Sequence, residues 1–266
     1  MSAAEALAPE QSVDEVRESL SVTEKGQPAN TIGNCRTVFC HDPLLRGAIR
    51  LNLLTDRVDI VRDLGWRRNT SALTDTDVKY LLLYFEQTYG LTSEKKMTAA
   101  LSIVANENCY HPIQDALNGL VWDGTPRIRS CLHHFLGADE SDYVEEMLKH
   151  FLLGAIRRVF RPGSKYEEML CLVGGQGAGK SSFFRLLAIR DEWFSDDLKK
   201  LDDDRVYLKL QGHWIIEMSE MLATSSAKSI EEIRSFISRQ KETYRTPYEA
   251  QPKDRLRQCV FGGSSN

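Results

Sequence analysis

Apolar residues recur at helical spacing through the first half of the chain. Asp42 and Pro43 form a start signal, an N-cap with proline in the first turn, and predict a helix to about Leu54 carrying Leu45, Ala48, Ile49 and Leu53. Val78, Leu81, Leu82 and Phe85 share a face between Thr76 and Gly90. Met97, Ala100, Leu101 and Val104 do the same between Ser93 and Asn106. A longer stripe of Tyr143, Met147, Phe151, Leu152, Ala155, Ile156 and Val159 predicts a helix from Ser141 to Phe160, stopped by Arg161-Pro162-Gly163. The period then changes. Met169–Val173, Trp214–Ile216 and Cys259–Phe261 are continuous apolar runs of strand length, as in a sheet buried on both faces. A further helix follows the capping box of Ser229 and Glu232, with Ile230, Ile233, Phe236 and Ile237 on its buried face.

The pattern divides the chain into a polar, flexible tail or linker at 1–30, a helical domain at 31–140 and an α/β core at 141–266. Between the long helices, Trp122-Asp123-Gly124-Thr125-Pro126 reads as a turn with the indole packed beneath it. Over 266 residues, 42% hydrophobic and 27% charged content is that of an ordinary globular protein. No apolar run approaches the ~20 residues of a membrane span and no signal pattern opens the chain, so a cytoplasmic protein without membrane contact is expected. The net charge of −4 argues neither for nor against a nucleic-acid partner, because a basic face can sit on an acidic molecule. Six scattered cysteines are expected as free thiols; Cys35, Cys40 and His41 lack a fourth ligand at zinc spacing.

Against this background the stretch after Val173 stands out. Gly174-Gly175-Gln176-Gly177-Ala178-Gly179-Lys180-Ser181 matches G-x-x-x-x-G-K-[ST] between a strand and a helix. Glycines let successive N–H groups point into one concavity, and a helix N-terminus adds donors and about half a positive charge. The expected ligand is ATP, its phosphates held by residues 174–182 including Ser182. Lys180 is placed on the β/γ-phosphates and Ser181 on Mg²⁺. Hydrolysis needs an acidic group at a neighbouring strand end, and Glu217 closes the strand Trp214–Ile216; Glu220 is a second candidate. Downstream, Arg234, Arg239, Lys241, Arg245 and Tyr248 mix cations with aromatics, as suits single-stranded DNA or a solvated charged loop.

Together these residues resemble the virulence-associated protein E family of phage and mobile-element ATPases, grouped with superfamily 3 helicases and poxvirus-type primase-helicases. The resemblance spans about 30–266. It rests on His111-Pro112, Trp122-Asp123-Gly124 with Arg127, the glycine-rich octapeptide and Trp193-Phe194-Ser195-Asp196. It also rests on Gln211-Gly212-His213-Trp214-Ile215-Ile216-Glu217 with Glu220, Tyr244-Arg245 with Pro247-Tyr248, and Ser265-Asn266. It implies a helical domain before an AAA+-type P-loop parallel-sheet core and a homo-oligomeric, hexameric ring on single-stranded DNA. It also implies Asn266 as a sensor of the γ-phosphate and a separate primase or replication partner. Arg234 stands where the family usually has lysine, and Thr243 where it usually has aspartate. The family's core continues past the position of Asn266, and the arginine finger normally lies in that continuation. Two functions follow: an ATP-driven DNA helicase or translocase, and a weakly or non-hydrolysing nucleotide-dependent DNA-binding or assembly module. A P-loop kinase is a third, less supported by the basic aromatic segment.

Overall fold

The computed structural model describes residues 11–198, 201, 206–219, 227–245 and 251–265. The chain divides into two compact units, Met1–Pro112 and Ile113–Asn266.

The first unit holds α1 (Val13–Ser19), α2 (Ile32–His41), the hairpin β1 (Ile49–Asn52) and β2 (Arg57–Ile60), α3 (Asp75–Tyr89) and α4 (Glu94–Glu107). The periodicity of α3 and α4 is seated as expected: Leu81, Phe85, Met97, Ala100, Leu101 and Val104 are all core. Two expectations give way. Residues 11–30 are not a free tail, because Ser12 and Glu15 cap α1 and Val16 and Leu20 are buried in the same core. The segment after Asp42 is not a helix either. Asp42 ends α2 instead of opening a helix: its buried carboxylate accepts from the amides of Leu44 and Leu45 and from the hydroxyls of Tyr84 and Tyr89. The chain then forms the hairpin, whose tip places Asp56 at φ 53°, a left-handed conformation that aspartate tolerates.

Asp77 makes this unit acid-sensitive. Burial alone would raise its carboxyl; donors from Trp66, Thr74 and Arg68 more than offset that and hold it down at about 2. The folded value lies below the ordinary 3.8, so the stabilisation is present above that value and is lost as pH falls through about 2. The shift is worth about 2 kcal/mol at neutral pH. Asp77→Asn should shrink the loss of stability between pH 4 and 2 as followed by circular dichroism; an unchanged acid transition would refute this role.

The second unit holds α5 (Pro112–Asn118), α6 (Ile128–Leu136), α7 (Asp142–Phe160), β3 (Met169–Val173), α8 (Lys180–Leu187), β4 (Phe194–Ser195), α9 (Val206–Leu210), β5 (Ile215–Ser219), α10 (Ala227–Ser238), the hairpin β6 (Lys241–Tyr244) and β7 (Lys253–Leu256), and β8 (Val260–Ser265). β3, β8, β5 and β4, in that order, form a parallel sheet. Leu132 of α6, Leu148 of α7 and Phe183 of α8 pack with Leu170 and Leu172 on one face. Val206 of α9 and Ile233, Phe236 and Ile237 of α10 cover Ile216, Met218 and Phe261 on the other. Because α6 packs with α7, 113–140 joins the sheet unit, whereas the sequence placed it with the helical domain.

Helix α8 approaches the sheet closely at Gly262, where a Cβ would lie 2.5 Å from the buried Phe184 ring. α7 buries Phe151, Ala155 and Val159 from the predicted stripe, and Leu148 besides, but Tyr143, at 72% exposure, and Met147 and Ile156 are exposed. Trp122 is 76% exposed instead of packed beneath its turn, since Asp123 closes that turn by pairing with Arg127 and needs no apolar support. Cys259 is buried as its strand predicts, while Cys171 lies on the open side of edge strand β3 and is exposed. No helix among the described residues is long and apolar enough to cross a membrane.

Candidate functional site

β3 delivers the chain to the end of the sheet, the glycine-rich turn reverses it, and α8 leads away. Gly177 and Gly179 sit at φ 82° and 85°, where a side chain is strained, so glycine at both is a conformational demand. Gly174, Gly175 and Gly177 face open space: a Cβ on any of them would meet nothing within 4 Å. Gly179 is the N-cap of α8 and brings no side chain to its first turn, whose amides open toward the bend. Lys180 Nζ donates to the carbonyl of Gly174 and, at 2.9 Å, to that of Gly175, so the ammonium lies over the turn. Gln176, Ala178 and Ser182 are exposed around it.

β5 lies two strands away, across β8. Its Glu217 is only 1% exposed, yet it reaches the turn: Ser181 Oγ donates to Glu217 Oε1 at 2.8 Å. Glu217 Oε2 is buried without a hydrogen-bond partner among the described residues. A buried carboxylate oxygen left unpaired is costly and marks a place for a cation or a water. The sheet thus brings Glu217 to Ser181 and its neighbour Lys180, which the sequence singled out as a separate motif. Glu220 and Asn266, the other two, lie outside the described residues, as does Tyr248.

The residues read as DNA contacts are less uniform. Arg245 is exposed just beyond β6, and Arg234 is exposed on α10 beside Glu231 at 4.0 Å. Arg239 donates to Tyr207 Oη at 2.9 Å and stands 3.6 Å from Glu242; Lys241 pairs with Asp254 at 2.5 Å. Tyr244 stacks on Tyr207 at 6.0 Å, and the Arg255 guanidinium stands 4.5 Å from the Tyr244 ring centroid. The Arg234–Glu231 and Lys241–Asp254 pairs are exposed and therefore weak, so they are exchangeable for phosphate contacts, whereas Glu242 beside Arg239 is buried.

The sequence reading missed two residues of this unit, Arg158 at the end of the sheet where β3 and β8 begin and Leu136 beside the turn. Arg158, inside the apolar stripe of α7, is fully buried. Leu136, the last residue of α6, lies 3.8 Å from where a Cβ on Gly179 would stand. The first had a signal, a lone cation at core spacing; the second had none, because the approach of α6 to the turn is tertiary.

A family model described as a virulence-associated protein E-like domain matches residues 117–266. No curated protein matches the chain. Among solved structures, an A-form apo structure of the NrS-1 C-terminal region is 16% identical, with TM-score 0.46, covering 82% of this chain and 53% of that one. An apo structure of the same region is 15% identical, with TM-score 0.44 and coverage of 82% and 54%. Another A-form structure is 14% identical, with TM-score 0.45 and coverage of 82% and 53%. The chain spans about half the length of the solved chains it matches.

Proposed function

The chain belongs to the virulence-associated protein E-like domain family, and from that premise we propose that it is an ATPase of the P-loop type acting on DNA in the replication of a phage or mobile element. One observation carries the reading: the hydroxyl of Ser181 and the buried carboxylate of Glu217, whose Oε2 has no partner among the described residues, converge at the mouth of an open glycine-rich turn that Lys180 overhangs.

The donor set suits Mg²⁺, a hard cation that takes hydroxyl and carboxylate oxygens and keeps several waters. Ser181 and Glu217 would hold it, and when bound it neutralises charge on the phosphates. The amides of residues 174–182 cradle the phosphates. Lys180 exchanges its two carbonyl acceptors for phosphate oxygens, balancing the charge of the transferring group. Glu217 orients the attacking water and accepts its proton. Glu220 and Asn266 are proposed to assist from positions outside the described residues. Arg234, Arg239, Lys241, Arg245 and Tyr248 form the proposed contact with single-stranded DNA, in an AAA+-type homo-oligomeric ring with a separate primase or replication partner.

Glu217→Gln tests the division of labour. It keeps the hydrogen-bonding shape but removes the charge, so ATP should still bind while turnover falls by about 10² or more. Turnover with and without an oligonucleotide, alongside ATP titration, measures both. Turnover in the variant equal to the parent's would overturn the role of Glu217. Binding with negligible turnover in the parent itself would instead establish the nucleotide-dependent assembly module.

A further inference from the structure

A cavity of about 670 Å³ opens beside the glycine-rich turn, within the ~300–1,000 Å³ range of small-molecule sites. It runs along β3 toward the turn between α6 and α7, and Gly174, Ala178 and Lys180 form its end at the phosphate cradle. Its other walls are mainly apolar, among them Leu136, Met147 and Leu172. A group joined to a phosphate chain lying over Lys180 therefore has an apolar slot to enter.

The Gly137 and Ala138 amides and the Ala138 carbonyl, which line this cavity at the α6–α7 turn, are already engaged. The Gly137 amide donates to His133 O at 2.8 Å and the Ala138 amide to Leu132 O at 3.3 Å, closing α6 in a left-handed cap. His133 Nδ1 in turn donates to Ala138 O at 2.8 Å. The remaining backbone edge is that of β3, which pairs only with β8 among the described residues. The Gly174 amide donates to Ser265 O on that side, so alternation turns the amides and carbonyls of Cys171 and Val173 outward. Donors and acceptors thus occur together along the open edge, and either purine edge can meet them.

Resting on the P-loop reading above, we infer that this cavity is a nucleobase subsite that takes a purine by apolar enclosure without distinguishing adenine from guanine. The two bases share the fused ring that an apolar slot senses and differ in edge donors and acceptors, which only a site built to pair them would separate by 10⁴ or more. The protein is accordingly a purine nucleoside triphosphatase in its specificity. Leu136 sets the fit by packing where the α6 terminus meets the glycine-rich turn.

Calorimetric titration of the full chain with ATP, GTP and inorganic tripolyphosphate, each with Mg²⁺, tests this. ATP and GTP should bind within about threefold of each other, and tripolyphosphate at least tenfold more weakly. Met147→Trp, which fills the slot from a half-exposed helix position, should bring both nucleotides down to the level of tripolyphosphate and leave tripolyphosphate unchanged. Leu136→Ala should weaken the two nucleotides equally. A preference between ATP and GTP above about thirtyfold would overturn the inference, as would tripolyphosphate binding as tightly as ATP, with the phosphate site intact in either case. If tripolyphosphate and both nucleotides fail to bind, the phosphate reading fails and the subsite with it.

Discussion

Replacing Lys180 with alanine should abolish ATP turnover, lowering kcat by about 10³ or more, and should weaken ATP binding as well. The ammonium lies over the glycine-rich turn on the carbonyls of Gly174 and Gly175. Such a contact is easily exchanged for phosphate oxygens, whose charge rises as the phosphoryl group transfers. Removing one preorganised donor from developing charge costs about 10²–10³ in rate. Losing a full charge that also positions the β/γ-phosphates costs more. The fold should survive, since Lys180 stands on a surface turn with its side chain partly exposed and such substitutions stay within about 0.5 kcal/mol. A phosphate-release assay, ATP titration and thermal melting of the variant separate the two effects. Lys180→Ala that melts like the parent and still hydrolyses ATP at a comparable rate would end the P-loop assignment.

That site was legible because its chemistry is local. The order of strand, glycines, lysine and serine is a contiguous string, and β3 and α8 form where the apolar run and the helix-favouring residues predict. Glu217 was legible as a strand-end acid, but its distance from Ser181 was not. That distance depends on the strand order β3-β8-β5, in which the last strand in sequence inserts between two earlier ones. Continuous apolar runs such as Met169–Val173 carry no information about their neighbours. Helix α1 was hidden for a different reason: in seven residues it buries one side chain, Val16, so composition dominates its pattern. The β1–β2 hairpin was hidden because Leu45, Ala48, Ile49 and Leu53 fit a helical face as readily as a turn followed by a strand. The local signal at Asp42-Pro43 was decided by tertiary contacts, the two tyrosine hydroxyls from α3 on the Asp42 carboxylate.

Arg158 is where the largest loss of stability should follow a single substitution. Its side chain is wholly buried, and its guanidinium donates to backbone carbonyls while standing 5.7 Å from the centroid of the Tyr166 ring. Nε donates to Ser164 O at 3.2 Å and Nη1 to Cys259 O at 2.8 Å. Nη2 donates to Tyr166 O at 2.8 Å, Ile237 O at 3.3 Å and Arg239 O at 3.4 Å. Those carbonyls belong to the segment after α7, the end of α10 and the entry to β8, three pieces that the one guanidinium joins. Burial pushes the guanidinium below the ordinary arginine value, yet arginine stays charged at any working pH. Arg158→Met keeps much of the volume but strands several buried acceptors at once, and should cost about 3–5 kcal/mol. Arg158→Lys restores charge without the planar fork that spans the carbonyls, so it should recover only part of the loss. Urea unfolding followed by tryptophan fluorescence is suited to the measurement, because Trp214 is buried in this unit with its indole N–H on Ala155 O at 3.0 Å. A midpoint for Arg158→Met equal to the parent's would show that water satisfies those carbonyls and that the arginine is not what ties α7 to the sheet.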